Sequence, residues 1–175
     1  MTEQQQYQVK QRFDGFELRH YPEHAIARVK VRGDFIAAGN IGFGPLVRYI
    51  SGNNQGGQKL AMTAPVIQET PADGQHLVSF VLPAGTRLEQ VARPNDASVE
   101  LVTVQAHDAV ALRFSGRWDE EVFHQQEATL RKLAEAQIAA GSLVGTLDNQ
   151  AQFARFDPPY KPWFLRRNEI IVRIF

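Results

Sequence analysis

The stretch FELRHYPEHAIARVKV, residues 16–31, is matched later in the chain by VELVTVQAHDAVALRF, residues 99–114. Each stretch holds two runs in which apolar and polar residues alternate, and alternation with a period of two is typical of β-strands. A short polar segment separates the runs, so we predict that each stretch forms a hairpin. This match decides the fold, because it predicts that one structural unit occurs twice.

The two halves of the chain align at one fixed offset without gaps. The aligned pairs are Glu17 and Glu100, Leu18 and Leu101, His24 and His107, Gly33 and Gly116, Phe35 and Trp118, and Arg48 and Arg131. In each half, helical spacing and two further strand-like runs follow the predicted hairpin. Two such units would each expose one apolar sheet face, and pairing them would bury both faces and leave a groove where they meet.

Glycine and proline interrupt the predicted first helix. Gly39, Gly42 and Gly44 each cost about 1 kcal/mol relative to alanine in a helix. Pro45 is best tolerated in a first helical turn. We therefore predict either a break in this helix or a late start near Pro45.

The second helix has clear start and stop signals and is predicted from about Glu120 to Ala140. Asp119 is a suitable N-cap, and acidic residues follow it at the positive end of the helix dipole. Gly141 is a typical helix terminator. The predicted apolar face consists of Phe123, Leu130, Leu133, Ala134 and Ile138.

The composition predicts one globular domain of 175 residues. Hydrophobic residues make up 43% of the chain, and 19 Lys and Arg balance 19 Asp and Glu. A net charge of zero argues against nucleic acid as the main partner. The segment MTEQQQYQVK at residues 1–10 is polar, and no later stretch has the length of a membrane span, so we expect a cytoplasmic protein.

Several kinds of chemistry are excluded by residues that the sequence lacks. It contains no cysteine, which rules out disulfides, thiolate metal ligation, covalent c-type haem attachment and cysteine nucleophiles. It also lacks a nucleophile elbow, a phosphate loop and an HExxH pattern. We therefore do not expect an enzyme.

Three motifs resemble the SOUL haem-binding protein family. They are RYISGNNQ at residues 48–55, KLAMTAPV at 59–66 and RFDPPYKPWFLRRNEIIV at 155–172. The resemblance covers nearly the whole chain, and it implies a single α+β domain over residues 1–175. The implied fold is a distorted antiparallel β-barrel made from two pseudo-symmetric βαββ repeats, at about residues 16–85 and 99–175, with two flanking helices. This fold is similar to that of the effector-binding domains.

The resemblance also implies non-covalent binding of haem or another tetrapyrrole in a surface hydrophobic cleft, in a haem carrier or buffer. The cleft is attributed to the first helix and the loop before the last strand. The residues at those positions are Phe43, Leu46, Val47 and Ile50, together with Tyr160, Trp163 and Phe164. Arg48 and Lys161 match basic positions of the cleft, and Lys59 is close to them in sequence. These three are the candidate contacts for propionates.

His20 is the candidate axial ligand for iron. Strand alternation places it on the same face as Phe16 and Leu18, and a histidine at the matching place has been proposed as the ligand in part of the family. A strand histidine that only satisfies a hydrogen bond is the competing explanation. Of the other histidines, His24, His76 and His107 are expected to face solvent, and His124 is expected on the polar side of the second helix. Met62 is expected to fill the core.

Two alternatives remain open beside tetrapyrrole binding. The chain is also compatible with a small-molecule sensor like the effector-binding domains, which accept flat or amphipathic ligands and use a buried carboxylate. The acids to watch for that function are Glu17, Glu69 and Glu169. A hydrolase that uses one cleft glutamate is the third alternative. The expected partner is a tetrapyrrole or another flat amphipathic small molecule, and the protein is expected to be a monomer or a weak dimer.

Overall fold

The computed structural model describes residues 2–71 and 73–175, and it has an α+β fold of antiparallel sheets and two helices. Ala72, in the predicted turn TPADGQ, lies outside the described residues. The strands are β1 (Glu3–Gln4), β2 (Gln8–Phe13), β3 (Phe16–Tyr21), β4 (His24–Val31), β5 (Thr63–Ala64), β6 (Val66–Glu69), β7 (His76–Val81), β8 (Glu100–Val104), β9 (His107–Phe114), β10 (Leu147–Arg155) and β11 (Asn168–Ile174), and the helices are α1 (Phe35–Ile50) and α2 (Glu120–Ala139).

The chain forms two compact units. The first comprises residues 2–6 and 23–105, and the second comprises residues 7–22 and 106–175. In the first unit the antiparallel strand order is β6-β7-β4-β8, and β1 pairs with β5 in a short parallel ladder. In the second unit the antiparallel order is β2-β3-β9-β11-β10.

The two predicted hairpins are wrong, although their four strands are present. β3 pairs with β2 and β9, whereas β4 pairs with β7 and β8. A two-residue hairpin needs residues that accept positive φ, and neither Pro22-Glu23 nor Gln105-Ala106 does. At both places the chain instead passes from one unit to the other. These two crossings are related by the same fixed offset as the internal match.

The first unit is built around α1, which packs on β4 and β7. Ala38, Leu46 and Tyr49 are buried against strand residues that include Val29 and Val78. Contrary to the prediction, α1 is continuous from Phe35 and contains Pro45 in its interior. Asp34 caps its start by accepting a hydrogen bond from the backbone N–H of Ala37 at 2.8 Å.

Gly42 explains part of the unusual composition of α1. A Cβ atom at this position would lie 2.7 Å from both Cβ and Cγ2 of Val78 and 3.2 Å from Cγ2 of Val29. Real side chains do not approach so closely, so only glycine lets the helix lie this near to β7. The residue that weakens the helix in isolation therefore permits its packing in the folded unit.

The second unit carries α2 on one face of its sheet. Asp119 caps the helix by accepting hydrogen bonds from the N–H groups of Glu121 and Val122, which confirms the predicted start. Phe123 packs against Phe114 and Phe153, with ring centroids 5.4 and 5.2 Å away. The opposite face of the sheet is buried in part, where Tyr21, Ala109, Ala111, Ala154 and Ile171 form a small core.

The closed barrel expected from the resemblance is not formed by the described residues. In the first unit, β6 and β8 lie at opposite ends of the strand order and are not paired with each other, and the same is true of β2 and β10 in the second. Because closure requires the outermost strands of a sheet to pair, each unit has an open sheet. The duplication into half-repeats stays a prediction.

Candidate functional site

The candidate cleft residues of the first unit lie on α1, and they divide into buried and exposed groups. Leu46 has no exposed surface and Ile50 is 7% exposed, so both belong to the core as they stand. Phe43 is 42% exposed and Val47 is half-buried. Ile36 is exposed and shares their side of the helix, since residues seven and four apart lie on one face. Ile36, Phe43 and Val47 are called the helix stripe below.

The candidate cleft residues of the second unit lie in the loop at residues 156–167, called the aromatic loop below. Trp163, Phe164 and Leu165 form one turn of 3-10 helix, and their side chains are 48%, 59% and 57% exposed. These three residues are called the loop patch. The rings of Trp163 and Phe164 stand nearly perpendicular with centroids 5.6 Å apart, and Tyr160 is also exposed.

Hydrogen bonds at the base of the aromatic loop hold its shape. One carboxylate oxygen of Asp157 accepts from Nζ of Lys161 at 2.8 Å, and the other accepts from the backbone N–H of Arg167 at 2.6 Å. Partial burial acts to raise the pKa of Asp157, but these hydrogen bonds and the neighbouring positive charges bring that pKa below its ordinary value. Arg166 donates to the carbonyl oxygens of Pro159 and Lys161. The loop patch is therefore exposed on a braced loop.

The three candidate cations differ in how strongly acidic side chains of the protein engage them. Lys161 is engaged by Asp157, as described above. Arg48 is 60% exposed and lies 3.9 Å from a carboxylate oxygen of Asp96, the limit of an ion pair. Lys59 is exposed, and no ion pair joins it to another residue within the described part of the chain. Lys59 and Arg48 are thus the more available cations.

His20, the candidate axial ligand, lies beside an acidic side chain of the neighbouring strand β9. Its Nδ1 atom is 2.7 Å from one carboxylate oxygen of Asp108, and the other oxygen of Asp108 accepts from Lys10 at 2.5 Å. The pairing of β3 with β9 sets His20 directly across from Asp108, whereas the aromatic loop enters β11 at Asn168, across from Phe114. At about 3.4 Å of rise per residue, these two ends of β9 are roughly 20 Å apart.

The Nδ1 contact of His20 has a chemical consequence. A carboxylate beside Nδ1 favours the tautomer with its proton on that nitrogen, which leaves Nε2 as the atom able to ligate a metal. Histidine ligands in metal sites commonly have such a carboxylate partner. No cluster of three or more His, Asp or Glu suited to a metal ion occurs within residues 2–71 and 73–175. Ligation by His20 alone stays a prediction.

Several side chains outside these groups depart from expectation. His76 was predicted to face solvent but is buried, with Nε2 3.0 Å from the carbonyl oxygen of Gly33 and Nδ1 2.9 Å from Thr70 Oγ1. His107 is half-buried and stacks on Tyr21. Met62, expected in the core, is 36% exposed in the irregular segment before β5. His124 is exposed on α2, as predicted.

The second unit also contains a cavity of about 330 Å³, which sequence analysis did not anticipate. It lies on the sheet face opposite α2, where four arginines, two glutamates and the aromatic residues Tyr7, Phe13 and Phe16 line it. The charged residues are Arg12, Glu17, Arg19, Arg113, Arg167 and Glu169. Strand alternation could have indicated this group, because Glu17, Arg19 and Tyr21 fall on one face of β3.

Glu169 is the most deeply buried charge of this cavity and has no exposed surface. Arg19 contacts both of its oxygens at 2.6 and 3.2 Å, and Arg167 donates to one of them at 2.7 Å. Burial alone would lower the pKa of Arg19, but the hydrogen bonds and charges of Glu169 and Tyr21 raise it above its ordinary value. Arg167 thus pairs with Glu169, whereas Arg166 braces the aromatic loop.

A comparison with protein families identifies the chain. The model of the SOUL heme-binding proteins matches residues 2–173, nearly its whole length. The chain belongs to the SOUL heme-binding protein family. SOUL proteins are a heme-binding family and not a known enzyme family. No curated protein matches this SOUL chain, and no helix in residues 2–71 and 73–175 is long and apolar enough to cross a membrane.

Solved structures similar to this SOUL protein show the fold. The C-terminal domain of EcmrR superposes with a TM-score of 0.69 at 14% identity, covering 97% of this chain and 98% of that chain. EcmrR in a complex with DNA gives a TM-score of 0.66 at 15% identity, covering 95% of this chain and 60% of that chain. A hydrolase from Listeria innocua gives 0.58 at 13% identity, with 91% of each chain covered. At these identities the similarity supports the α+β fold alone.

Proposed function

We propose that this SOUL protein binds haem or a related tetrapyrrole non-covalently, as a carrier or buffer. The observation that carries the proposal is where the protein exposes large apolar side chains. Most of them lie on α1 or in the aromatic loop, the two segments to which the resemblance attributes ligand binding. Large apolar side chains that are exposed together on one segment are typical of binding surfaces.

Burial of the ring supplies the binding energy in this proposal. At about 25 cal/mol per Å², covering about 300 Å² of apolar macrocycle contributes on the order of 7 kcal/mol before the costs of association. A propionate paired with an exposed lysine or arginine adds much less, because water and salt screen such pairs. For a ring bound at the helix stripe, Lys59 and Arg48 of the same unit are proposed to orient the propionates.

Iron ligation is not needed for binding at the loop patch. His20 lies across from Asp108 at one end of β9, and the aromatic loop joins β11 at the other end, roughly 20 Å away along the strand. A macrocycle that lies against Trp163 and Phe164 would therefore bind through its apolar face. Nε2 of His20 could ligate iron only in a haem that is bound away from the loop patch.

Sensing of a flat or amphipathic small molecule through a buried carboxylate is less well supported. That function requires a carboxylate whose charge is available to the ligand. Both oxygens of Glu169 are engaged by arginines, and Glu17 is engaged by Arg19 at 2.9 Å and Arg12 at 3.3 Å. The charge of these two acids is thus already balanced within the protein.

Titration with ferric haem, followed by absorption in the Soret region, tests the proposal with a set of variants. We expect replacement of both Trp163 and Phe164 by alanine to weaken binding about tenfold or more, since each buried aromatic ring contributes about 1.5–3 kcal/mol. Phe43→Ala tests the helix stripe separately and is expected to weaken binding several-fold.

Two further variants complete this experiment. Phe175 is equally large and 75% exposed but lies outside both segments, so Phe175→Ala serves as the control and should bind haem like the original protein. His20→Ala is expected to leave both the affinity and the Soret maximum unchanged. If Phe175→Ala weakens binding as much as the loop variant does, adsorption to exposed apolar surface explains the signal and the proposed site is wrong.

A further inference from the structure

The cavity of the second unit has an excess of positive charge that its own acidic residues do not balance. Four arginines line it against two glutamates. Arg19 and Arg167 form ion pairs with Glu169. Glu17 forms ion pairs with the Nε atoms of Arg19 and Arg12. The acids of the cavity are therefore satisfied without Arg113.

Arg113 is the available guanidinium. It lies directly across the β9–β11 ladder from Glu169, yet it is exposed and forms no ion pair within the described part of the chain. Arg12 is nearly as available, because its side chain is 75% exposed and has one contact of 3.3 Å to Glu17. A bound anion would thus meet two guanidiniums that are only lightly engaged.

The walls of the cavity indicate the rest of the ligand. Tyr7 and the small Ala111 provide apolar lining on the face of the arginines. Phe13 and Phe16 pair across β2 and β3 on the other face, where their rings stack with centroids 4.6 Å apart. A volume of about 330 Å³ is at the small end of the range for ligand sites. The planar fork of arginine matches a carboxylate in two parallel hydrogen bonds.

We propose that this cavity binds a small organic carboxylate, with Arg113 and Arg12 holding the carboxylate and Tyr7 and Ala111 contacting the organic group. The site is separate from the helix stripe and the loop patch, so it does not depend on tetrapyrrole binding. The deeper Arg19–Glu169–Arg167 group would keep its present contacts and give the site a rigid base. A cationic ligand is disfavoured by the excess of arginine.

Benzoate and benzamide provide a matched pair of probes, because they share a ring and differ in the carboxylate. We expect benzoate, added to the full chain, to shift the backbone amide NMR signals of Gly15 and Ala111 in a saturable way. Benzamide should bind at least about tenfold more weakly, as should benzoate to Arg113→Gln, since a hydrogen bond between charged groups contributes about 1.5–3 kcal/mol.

Arg32→Gln is the control for a lost surface arginine, because Arg32 is exposed and belongs to the other unit. It should bind benzoate normally, and Arg113→Gln should still bind ferric haem normally, so that failure of this proposal and failure of the tetrapyrrole proposal are distinguishable. Equal binding of benzoate and benzamide, or normal benzoate binding by Arg113→Gln, would overturn the proposal. Inorganic phosphate binding as tightly as benzoate would overturn the assignment to an organic ligand.

Discussion

Replacement of Glu169 by glutamine is expected to lower the free energy of unfolding by about 3–5 kcal/mol. Glutamine has nearly the same volume, so the loss arises from charge and not from a cavity. Arg19, whose side chain is 4% exposed, would lose the partner that contacts it at 2.6 and 3.2 Å. The guanidinium cannot shed its proton to escape this cost. Urea denaturation, followed by circular dichroism, measures the change.

An exposed ion pair provides the control for this prediction. Glu100 accepts from Nε of Arg28 at 2.8 Å, but its side chain is 58% exposed. Glu100→Gln should therefore cost less than about 1 kcal/mol. Adding Arg19→Met to Glu169→Gln should recover part of the lost stability, because the stranded charge is then removed. Equal effects of Glu169→Gln and Glu100→Gln would contradict the buried network described above.

Gly42→Ala is expected to lower the free energy of unfolding by about 1–3 kcal/mol, although alanine favours helix formation. In an exposed helix the same change would stabilise by about 1 kcal/mol. The new Cβ would lie 2.7 Å from Cβ and Cγ2 of Val78. Val78 is fully buried, and its strand is paired with β4 on one side and β6 on the other. The helix must therefore move away from the sheet. Thermal unfolding of the two proteins measures the difference.

Gly44→Ala is the matched change on the same helix. The nearest atom to its new Cβ would be Nη1 of Arg48 at 3.4 Å, the end of a flexible side chain. The gain in helix propensity is opposed by the restriction on a residue before proline. We therefore expect a change within about 1 kcal/mol in either direction. A Gly42→Ala protein as stable as the original would show that α1 does not need the close approach to Val78.

The local structure of α2 could be predicted because its signals are all local. Asp119 caps the start, and the apolar spacing fixes the buried face. The continuity of α1 could not be predicted in the same way, because the glycine that lowers its propensity is required by contact with Val78. That contact joins residues far apart in the sequence, so helix propensity, which depends on local sequence, cannot predict it.

Strand positions could be predicted from the sequence, whereas the predicted strand partners were wrong. Alternation shows which face a residue occupies and does not show which strand lies beside it. The residues that link β3 to β4 and β8 to β9 could have shown that these strands do not form hairpins. Pro22-Glu23 and Gln105-Ala106 lack the residues that a tight hairpin turn requires, and β3 pairs with β9 in place of β4. Correct pairing would also have placed His20 beside Asp108.

The part of the candidate site that lies in an irregular loop could be predicted, because side chains in such loops are often exposed. Trp163 and Phe164 lie in a proline-punctuated loop and are exposed, as such aromatic residues in loops can be. Leu46 and Ile50 have the same apolar character, but the packing of α1 buries them. The cavity around Arg113 was missed because its residues come from four strands and the segments beside them. Only the sheet register brings them together.

The proposed function requires that apolar surface, and not iron ligation, holds the tetrapyrrole. A fluorescence titration with metal-free protoporphyrin IX, compared with a titration of ferric haem on the same protein, tests this most directly. We expect saturable binding of both, with dissociation constants within a few-fold of each other, because ring burial provides most of the free energy in either case. Binding of haem without saturable binding of the metal-free ring would contradict this mode of binding.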